Sequence, residues 1–221
     1  MPTIFSQLEK TTTLIQNKLC LYTPVEESYS FSWPNFVYTS PKFRRAHLDI
    51  VDARETKKLY MMHLCIFPHI YDPSPIYGFD LIAGPSKVTG AFHDFSPCTE
   101  QHPLLDWFET RVKPYEWSRK RQLPDWAQEI FSSNMVAAGN IQSEQELSAI
   151  LNLALESLDY YLENVGSFSD VDYTEAQNKY CRNQKRNPHT PKVMASLGLD
   201  PQEVSVFVDK CLFPEIPAVL I

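Results

Sequence analysis

Glycine is scarce in this sequence, six residues in 221, and no G-x-G-x-x-G turn or P-loop can be assembled from them. The chain therefore lacks the usual backbone cradle for nucleotide phosphates, and no bound flavin or nicotinamide is expected. A G-x-S-x-G elbow is missing too, which removes the hydrolase architecture built on it. The five cysteines (Cys20, Cys65, Cys98, Cys181 and Cys211) are odd in number and never fall in a C-x-x-C pair. Reduced thiols in a cytoplasmic compartment are expected, rather than a zinc site or an iron–sulfur cluster. His63 and His69 stand six apart across a turn, a poor metal spacing with no acidic cluster to complete it. No run of 18 apolar residues occurs, so no membrane span is expected. The opening MPTIFSQLEKTTTLIQNKL is too polar for a signal peptide. Positive charge is not in excess either; a formal net charge of −7 argues against nucleic acid as a partner.

What is present is an ordinary globular composition, 43% hydrophobic and 21% charged. Residues 4–18 place Ile4, Phe5, Leu8, Leu14 and Ile15 at helical spacing. From 29 to 95 the pattern turns to β. NFVYTS, FRRAHLDIVDA, LYMMHLCIFP, IYGFDLIAGP and KVTGAFHDFSP are rich in Val, Ile, Tyr and Phe and are cut by turn residues. Their connections are too short for crossover helices, which predicts an antiparallel meander. After residue 100, HPLLDWFETRV and LPDWAQEIFSS read as short helices and MVAAGNI as one more strand. SEQELSAILNLALESLDYYLENV is the clearest helix, with Ser143 as N-cap and Glu146 completing a capping box. Its positions Leu147, Ile150, Leu151, Ala154, Leu158, Tyr161 and Leu162 make one apolar stripe. YTEAQNKYCRNQKR and PQEVSVFVDKCLF are helical, separated by Pro188, Pro191 and Gly198. Strands early and helices late predict an α+β fold with helices covering an antiparallel sheet, in a single domain over 1–221.

Within the strands, two residues break the apolar pattern. His63 lies inside MMHLCIF and Asp80 inside IYGFDLI, where burial demands a partner or a protonic task. Alternation puts Met61, His63, Cys65 and Phe67 on one face, and Ile76, Gly78, Asp80 and Ile82 on one face of the next strand. Paired as a hairpin, the two odd residues share a side at diagonal reach. Gly78 leaves space there, as where a ligand approaches a sheet. The pair reads either as core glue or as an acid–base couple. The basic clusters KFRR (42–45), RKR (119–121) and RNQKR (182–186) read as solvated faces or as a patch for an anionic ligand or an acidic protein.

The blocks YTSPKFRRAHLDI, MMHLCIFP, YGFDLIAGP, DFSP, RQLPDWAQEIFS and NKYCRNQKRNPHTPKV resemble, in order and in His-to-Asp spacing, the ferredoxin-dependent bilin reductases. The likeness runs from about residue 36 to about 215. It implies a three-layer α/β/α sandwich with a central antiparallel sheet, and biliverdin IXα held between the sheet and the C-terminal helices. It also implies single electrons from a reduced [2Fe-2S] ferredoxin, no bound cofactor and passage through bilin radicals. Each electron must then be matched by a side-chain proton. The resemblance makes Asp80 the central proton donor and His63 its partner. Asp49 falls where the family carries a Glu that assists reduction of the D-ring vinyl group.

The same likeness assigns Thr89 and Arg121 to the propionates, a role to which an Arg fork is suited. It assigns Gln184 and Asn187 to the polar helical wall, and Cys65, His189 and Val193 to further substrate contact. Pro188 stands where the family has a second acid, leaving His189 or solvent to supply protons on that side. Together with the shorter Asp49, this favours phycoerythrobilin through 15,16-dihydrobiliverdin, with phycocyanobilin as the alternative product. A rival class is a non-catalytic bilin carrier on the same fold. Arg119, Lys120, Arg182, Lys185 and Arg186 are expected to ring the pocket mouth and dock the ferredoxin. The enzyme is expected to be a monomer.

Overall fold

In a computed structural model of the chain, residues 3–217 are described. Helix α1 (Ile4–Leu19) comes first, followed by β1 (Thr23–Pro24), β2 (Asn35–Thr39), β3 (Phe43–Ala53) and the single turn α2 (Arg54–Lys57). Strands β4 (Leu59–Pro68), β5 (Ile76–Ala83) and β6 (Val88–Ser96) continue the meander. Then come α3 (Pro103–Val112), the single turn α4 (Asp125–Gln128), β7 (Val136–Ala138) and α5 (Glu144–Asn164). Helices α6 (Thr174–Gln184), α7 (His189–Ser196) and α8 (Pro201–Val206) lead into a π-helical stretch, Phe207–Leu212. The seven strands form one antiparallel sheet in the order β1-β2-β3-β4-β5-β6-β7, so each strand pairs with its neighbours in sequence.

The sheet divides the apolar interior in two. On one face Leu48, Leu64, Phe79, Tyr77 and Phe95 pack against Leu8 and Ile15 of α1, Phe108 of α3 and the α5 stripe. On the other, Cys65, Phe67 and Val51 meet Tyr180 and Cys181 of α6, Met194 of α7, and Phe207 and Cys211 of the π-helix. The result is the α/β/α sandwich that the sequence led us to expect. All seven α5 stripe residues are buried. Leu14 of α1, counted with the apolar face, is instead 40% exposed. Among the described residues no helix is long and apolar enough to cross a membrane.

Local differences from the sequence reading have local causes. Ser143 does cap α5, its hydroxyl accepting from Glu146 N at 3.2 Å. The reciprocal half of the box is missing because the Glu146 carboxylate is taken by Ser118, through its N–H (2.8 Å) and hydroxyl (2.7 Å). A complete capping box stands at α8, between Asp200 and Glu203. Helix α7 forms across Pro191, treated above as a separator. The proline sits in the first turn, where a backbone N–H has no helical partner to lose. The LPDWAQEIFSS segment supplies only the one turn of α4.

Candidate active site

Strand register builds the centre of the site. Asn35 of β2 lies opposite Asp49 of β3, Asp49 opposite His63 of β4, and His63 opposite Asp80 of β5. Paired residues project to the same face, so four polar side chains form one row across four strands. His63 and Asp80 are thus directly opposed, not diagonal. The His63 Nδ1–H donates to Asp80 Oδ1 at 2.5 Å. A second row beside it runs His47, Cys65, Gly78 and Asp94. The His47 ring lies 5.6 Å from that of His63, and its Nε2 bonds Asn35 Oδ1 at 2.9 Å.

The Asp49 end of the row is sealed. Trp33 Nε1–H donates to Asp49 Oδ1 at 2.6 Å. The indole stacks on Phe31 and takes Phe207 of the π-helix edge-on. Cys211, one turn later, brings its Sγ to 3.1 Å from Asn35 Oδ1 and 3.3 Å from His47 Nε2, and Phe213 meets the His63 ring edge-on. Asp49 is 3% exposed. The Asp80 end opens, with 38% of that side chain exposed, into a cleft of about 1000 Å³ between the sheet, the 119–135 segment and the start of the C-terminal helices.

Burial sets the protonation states. It pushes the Asp49 carboxyl up to about 7, against the opposing pull of His63 and the Trp33 hydrogen bond. Burial also pushes His63 down. The charge and hydrogen bond of Asp80, with the charge of Asp49, outweigh it and raise the imidazole above its ordinary value. His47, fully buried and beside His63 and Arg45, is pushed well below its ordinary value and is neutral. The row thus sets an imidazole whose protonated form is favoured between two carboxyl groups, an arrangement that can hold and pass protons. His63 Nε2 is buried with no hydrogen-bond partner among the described residues.

Of the residues expected at the site, Asp80, Arg121, Gln184, Asn187 and His189 line the cleft, and Pro188 stands among them. His63 and Asp49 lie behind Asp80. Thr89 spends its hydroxyl on the Ile82 carbonyl at 2.9 Å. Its own carbonyl accepts from Arg121 Nη2. The Arg121 guanidinium lies over the Phe92 ring and against Gly139, where a Cβ would come within 2.7 Å of Arg121 Nε. Cys65 is buried under Tyr180, and Val193 packs into the core beneath α7. The space at Gly78 is capped by the Tyr180 hydroxyl, 3.6 Å from where a Cβ would sit. That hydroxyl accepts from Gln184 Nε2 at 2.8 Å.

Tyr180, Asp94, Trp126 and Phe131 are among the cleft residues that escaped the sequence reading. Tyr180 stands four before Gln184, on the same helix face. Alternation along VTGAFHDFS already sets Asp94 on the face of Asp80's partner, Phe92. The basic residues divide. Arg119 and Lys120 lie at the cleft with no ion pair among the described residues. Arg182 is paired with Glu175 and Glu215, Lys185 with Asp209 and Glu215, and Arg186 with Glu129. No group of three His, Cys, Asp or Glu side chains among the described residues is placed to hold a metal ion.

A family model described as ferredoxin-dependent bilin reductase matches residues 3–214. The chain belongs to the ferredoxin-dependent bilin reductases. It is 27% identical over 187 residues to the phycocyanobilin:ferredoxin oxidoreductase of Trichodesmium erythraeum, covering 81% of this chain and 75% of that protein. To the same-named protein of Synechococcus sp. strain CC9605 it is 30% identical over 183 residues, 79% and 72% of the two chains. The solved structure of a PcyX protein superimposes with a TM-score of 0.68 at 33% identity, over 96% of this chain and 98% of that one. Tomato phytochromobilin synthase in complex with biliverdin superimposes with a TM-score of 0.73 over 95% and 82%. At 16% identity that last likeness speaks for the fold alone. The protein is thus a ferredoxin-dependent bilin oxidoreductase, and the carrier reading is set aside.

The elevated carboxyl in this bilin reductase has a measurable signature. Between its ordinary value of 3.8 and about 7, Asp49 holds a proton in the folded chain that the unfolded chain has released. Its contribution to stability therefore falls as pH rises through that window. Asp49→Asn stays neutral throughout and can still accept from Trp33. Urea denaturation from about pH 5 to about pH 8 should show a smaller loss of stability in the variant than in the parent. Parallel pH profiles for the two would contradict the assignment.

Proposed function

We propose that this protein reduces biliverdin IXα to phycoerythrobilin by way of 15,16-dihydrobiliverdin, using four electrons delivered singly by reduced [2Fe-2S] ferredoxin. The observation that carries the reading is the row itself: a sealed Asp49, a His63 whose protonated form is favoured, and Asp80 alone opening onto a cleft large enough for one tetrapyrrole. The first electron of each two-electron reduction leaves a bilin radical, which must take up a proton before the next electron is useful. Asp80 donates that proton, and His63 returns it to Asp80 through their 2.5 Å hydrogen bond. Asp49 serves as a reserve behind His63. In this reading the cleft side chains Gln184, Asn187 and His189 orient the pyrroles, and Arg121 binds a propionate. Thr89, Cys65 and Val193 support the wall from behind.

The placement of Asp49 favours reduction at the 15,16 bridge before the D-ring vinyl group. Its carboxyl is held by Trp33 and lies behind His63, and Pro188 offers no acid on the helical side. The names of the relatives favour phycocyanobilin as the competing product. We place ferredoxin docking at the cleft mouth, with Arg119 and Lys120 carrying more of the attraction than the internally paired Arg182, Lys185 and Arg186. The whole reaction is assigned to one domain of a monomeric cytoplasmic enzyme.

Anaerobic turnover of biliverdin with reduced ferredoxin, followed by chromatography, tests the reaction. The expected course is a transient that co-elutes with 15,16-dihydrobiliverdin, then phycoerythrobilin. Phycocyanobilin without that transient would overturn the product, and unconsumed biliverdin would overturn the function. Docking is tested by charge reversal. Lys120→Glu should slow turnover and flatten its decline with rising salt, whereas Arg182→Glu should do so less, because rim charges act mainly on association. Equal effects at the two positions would contradict the placement.

A further inference from the structure

Asp94 is a buried carboxylate, 2% exposed, that the proton row does not use. It stands on β6 on the same sheet face as Asp80, with Gly78 directly opposite, and it lines the cleft. Three hydrogen bonds converge on it. Ser132 N–H reaches Oδ2 at 3.0 Å and Ser132 Oγ reaches Oδ1 at 2.5 Å. Ser96 Oγ donates to Oδ2 at 2.8 Å. Burial pushes the carboxyl up to about 6 while these bonds pull it back. Only the ionised form can accept all three.

Ser132 closes the segment that makes one wall of the cleft. The chain leaves β7's side at Arg121, whose N–H bonds the Ala137 carbonyl at 2.8 Å, and runs through α4 before rejoining the sheet. Trp126 packs on Phe131, and Phe131 meets Tyr180 of α6 edge-on, at 6.4 and 6.2 Å between ring centroids. Trp126, Phe131 and Tyr180 all line the cleft. The wall's apolar anchors are Ala127 and Ile130, both buried, with Ile130 set in the core beneath α6 and α7. Helix α4 is one turn with no side-chain cap. Its ion pair to the chain just past α6 is the exposed Arg186–Glu129 contact, a kind that contributes weakly. The buried polar tie to the sheet is Asp94 to Ser132.

We propose that Asp94 is a positioning residue that, through Ser132, holds the 122–131 wall against the sheet and so sets how tightly the tetrapyrrole is gripped by Trp126 and Phe131. The proposal rests on the bilin-binding reading of the cleft. Because Asp94 acts on the wall and not on the reacting carbons, its loss weakens substrate binding and leaves the chemical step alone.

Two variants test this. Asp94→Asn turns one acceptor into a donor facing a Ser132 N–H or hydroxyl, and Ser132→Ala deletes only the hydroxyl bond. In the ligand-free protein, amide exchange across 122–132 should speed up about tenfold in each, while β3, β4 and β5 keep their protection. The KM for biliverdin should rise about tenfold, the scale of one lost charge-assisted hydrogen bond, with kcat nearly unchanged. The double variant should be no worse than Asp94→Asn. Unchanged exchange and KM in both variants would overturn the proposal. So would a fall in kcat at constant KM, which would make Asp94 a proton donor. If Asp94→Asn does not fold, Ser132→Ala alone decides. The exchange readout needs no bilin, so a parent protein that ignored biliverdin would overturn the proposed function while the anchor was still being judged.

Discussion

The pairing of β3, β4 and β5 puts Asp49, His63 and Asp80 opposite one another, and the remainder of the site is arranged around that row. A slip of one residue between any two strands would send half of it into the α1/α3/α5 core, the face on which His93 is already held by its Nδ1 bond to the Gly78 carbonyl. The large apolar residues on the opposite face, Leu64, Phe79 and Leu48, are therefore part of the catalytic design. They fix the register by demanding burial, and the register sets the proton row.

Sealing one end of the row gives it direction. Two segments far apart in sequence do this, the loop carrying Phe31 and Trp33 and the π-helix carrying Phe207 and Cys211. The extra residue per turn of a π-helix lets Cys211 face Asn35 and His47 while its carbonyl accepts from Arg45. Two carboxyls and an imidazole set side by side, one fully buried and two partly, oppose folding unless protons are shared among them. The raised carboxyl of Asp49 and the raised imidazole of His63 are the chemical form of that sharing. A store of this kind suits an enzyme of this family, whose donor supplies electrons without protons.

Much of the framework was legible in the sequence because periodicity reports burial. The boundaries of β3 and β4 follow FRRAHLDIVDA and LYMMHLCIFP residue for residue, and every α5 stripe position is buried. The register was not legible. The irregular His69–Pro75 turn hides how far β5 is advanced on β4, so His63 and Asp80 were set one diagonal apart. Partners distant in sequence were also out of reach. Nothing in RNQKR shows that Glu175, Glu215, Asp209 and Glu129 neutralise it, and nothing near AHLDI announces Trp33 as the donor to Asp49. Asp94 could have been found, since it shares a face with Phe92, but its role depends on Ser132, which only the tertiary fold brings to it.

The central claim is that Asp80 gives up a proton at each reductive step. Asp80→Asn keeps the shape and the hydrogen bond to His63 but removes that proton. Rapid mixing of the biliverdin-loaded variant with reduced ferredoxin, followed by absorbance and electron spin resonance, tests the claim most directly. The variant should fold, bind the bilin, accept one electron and stop as a long-lived radical. Turnover at the parental rate with no accumulated radical would contradict it, leaving His63 and Asp80 as a structural pair and the reaction without its acid.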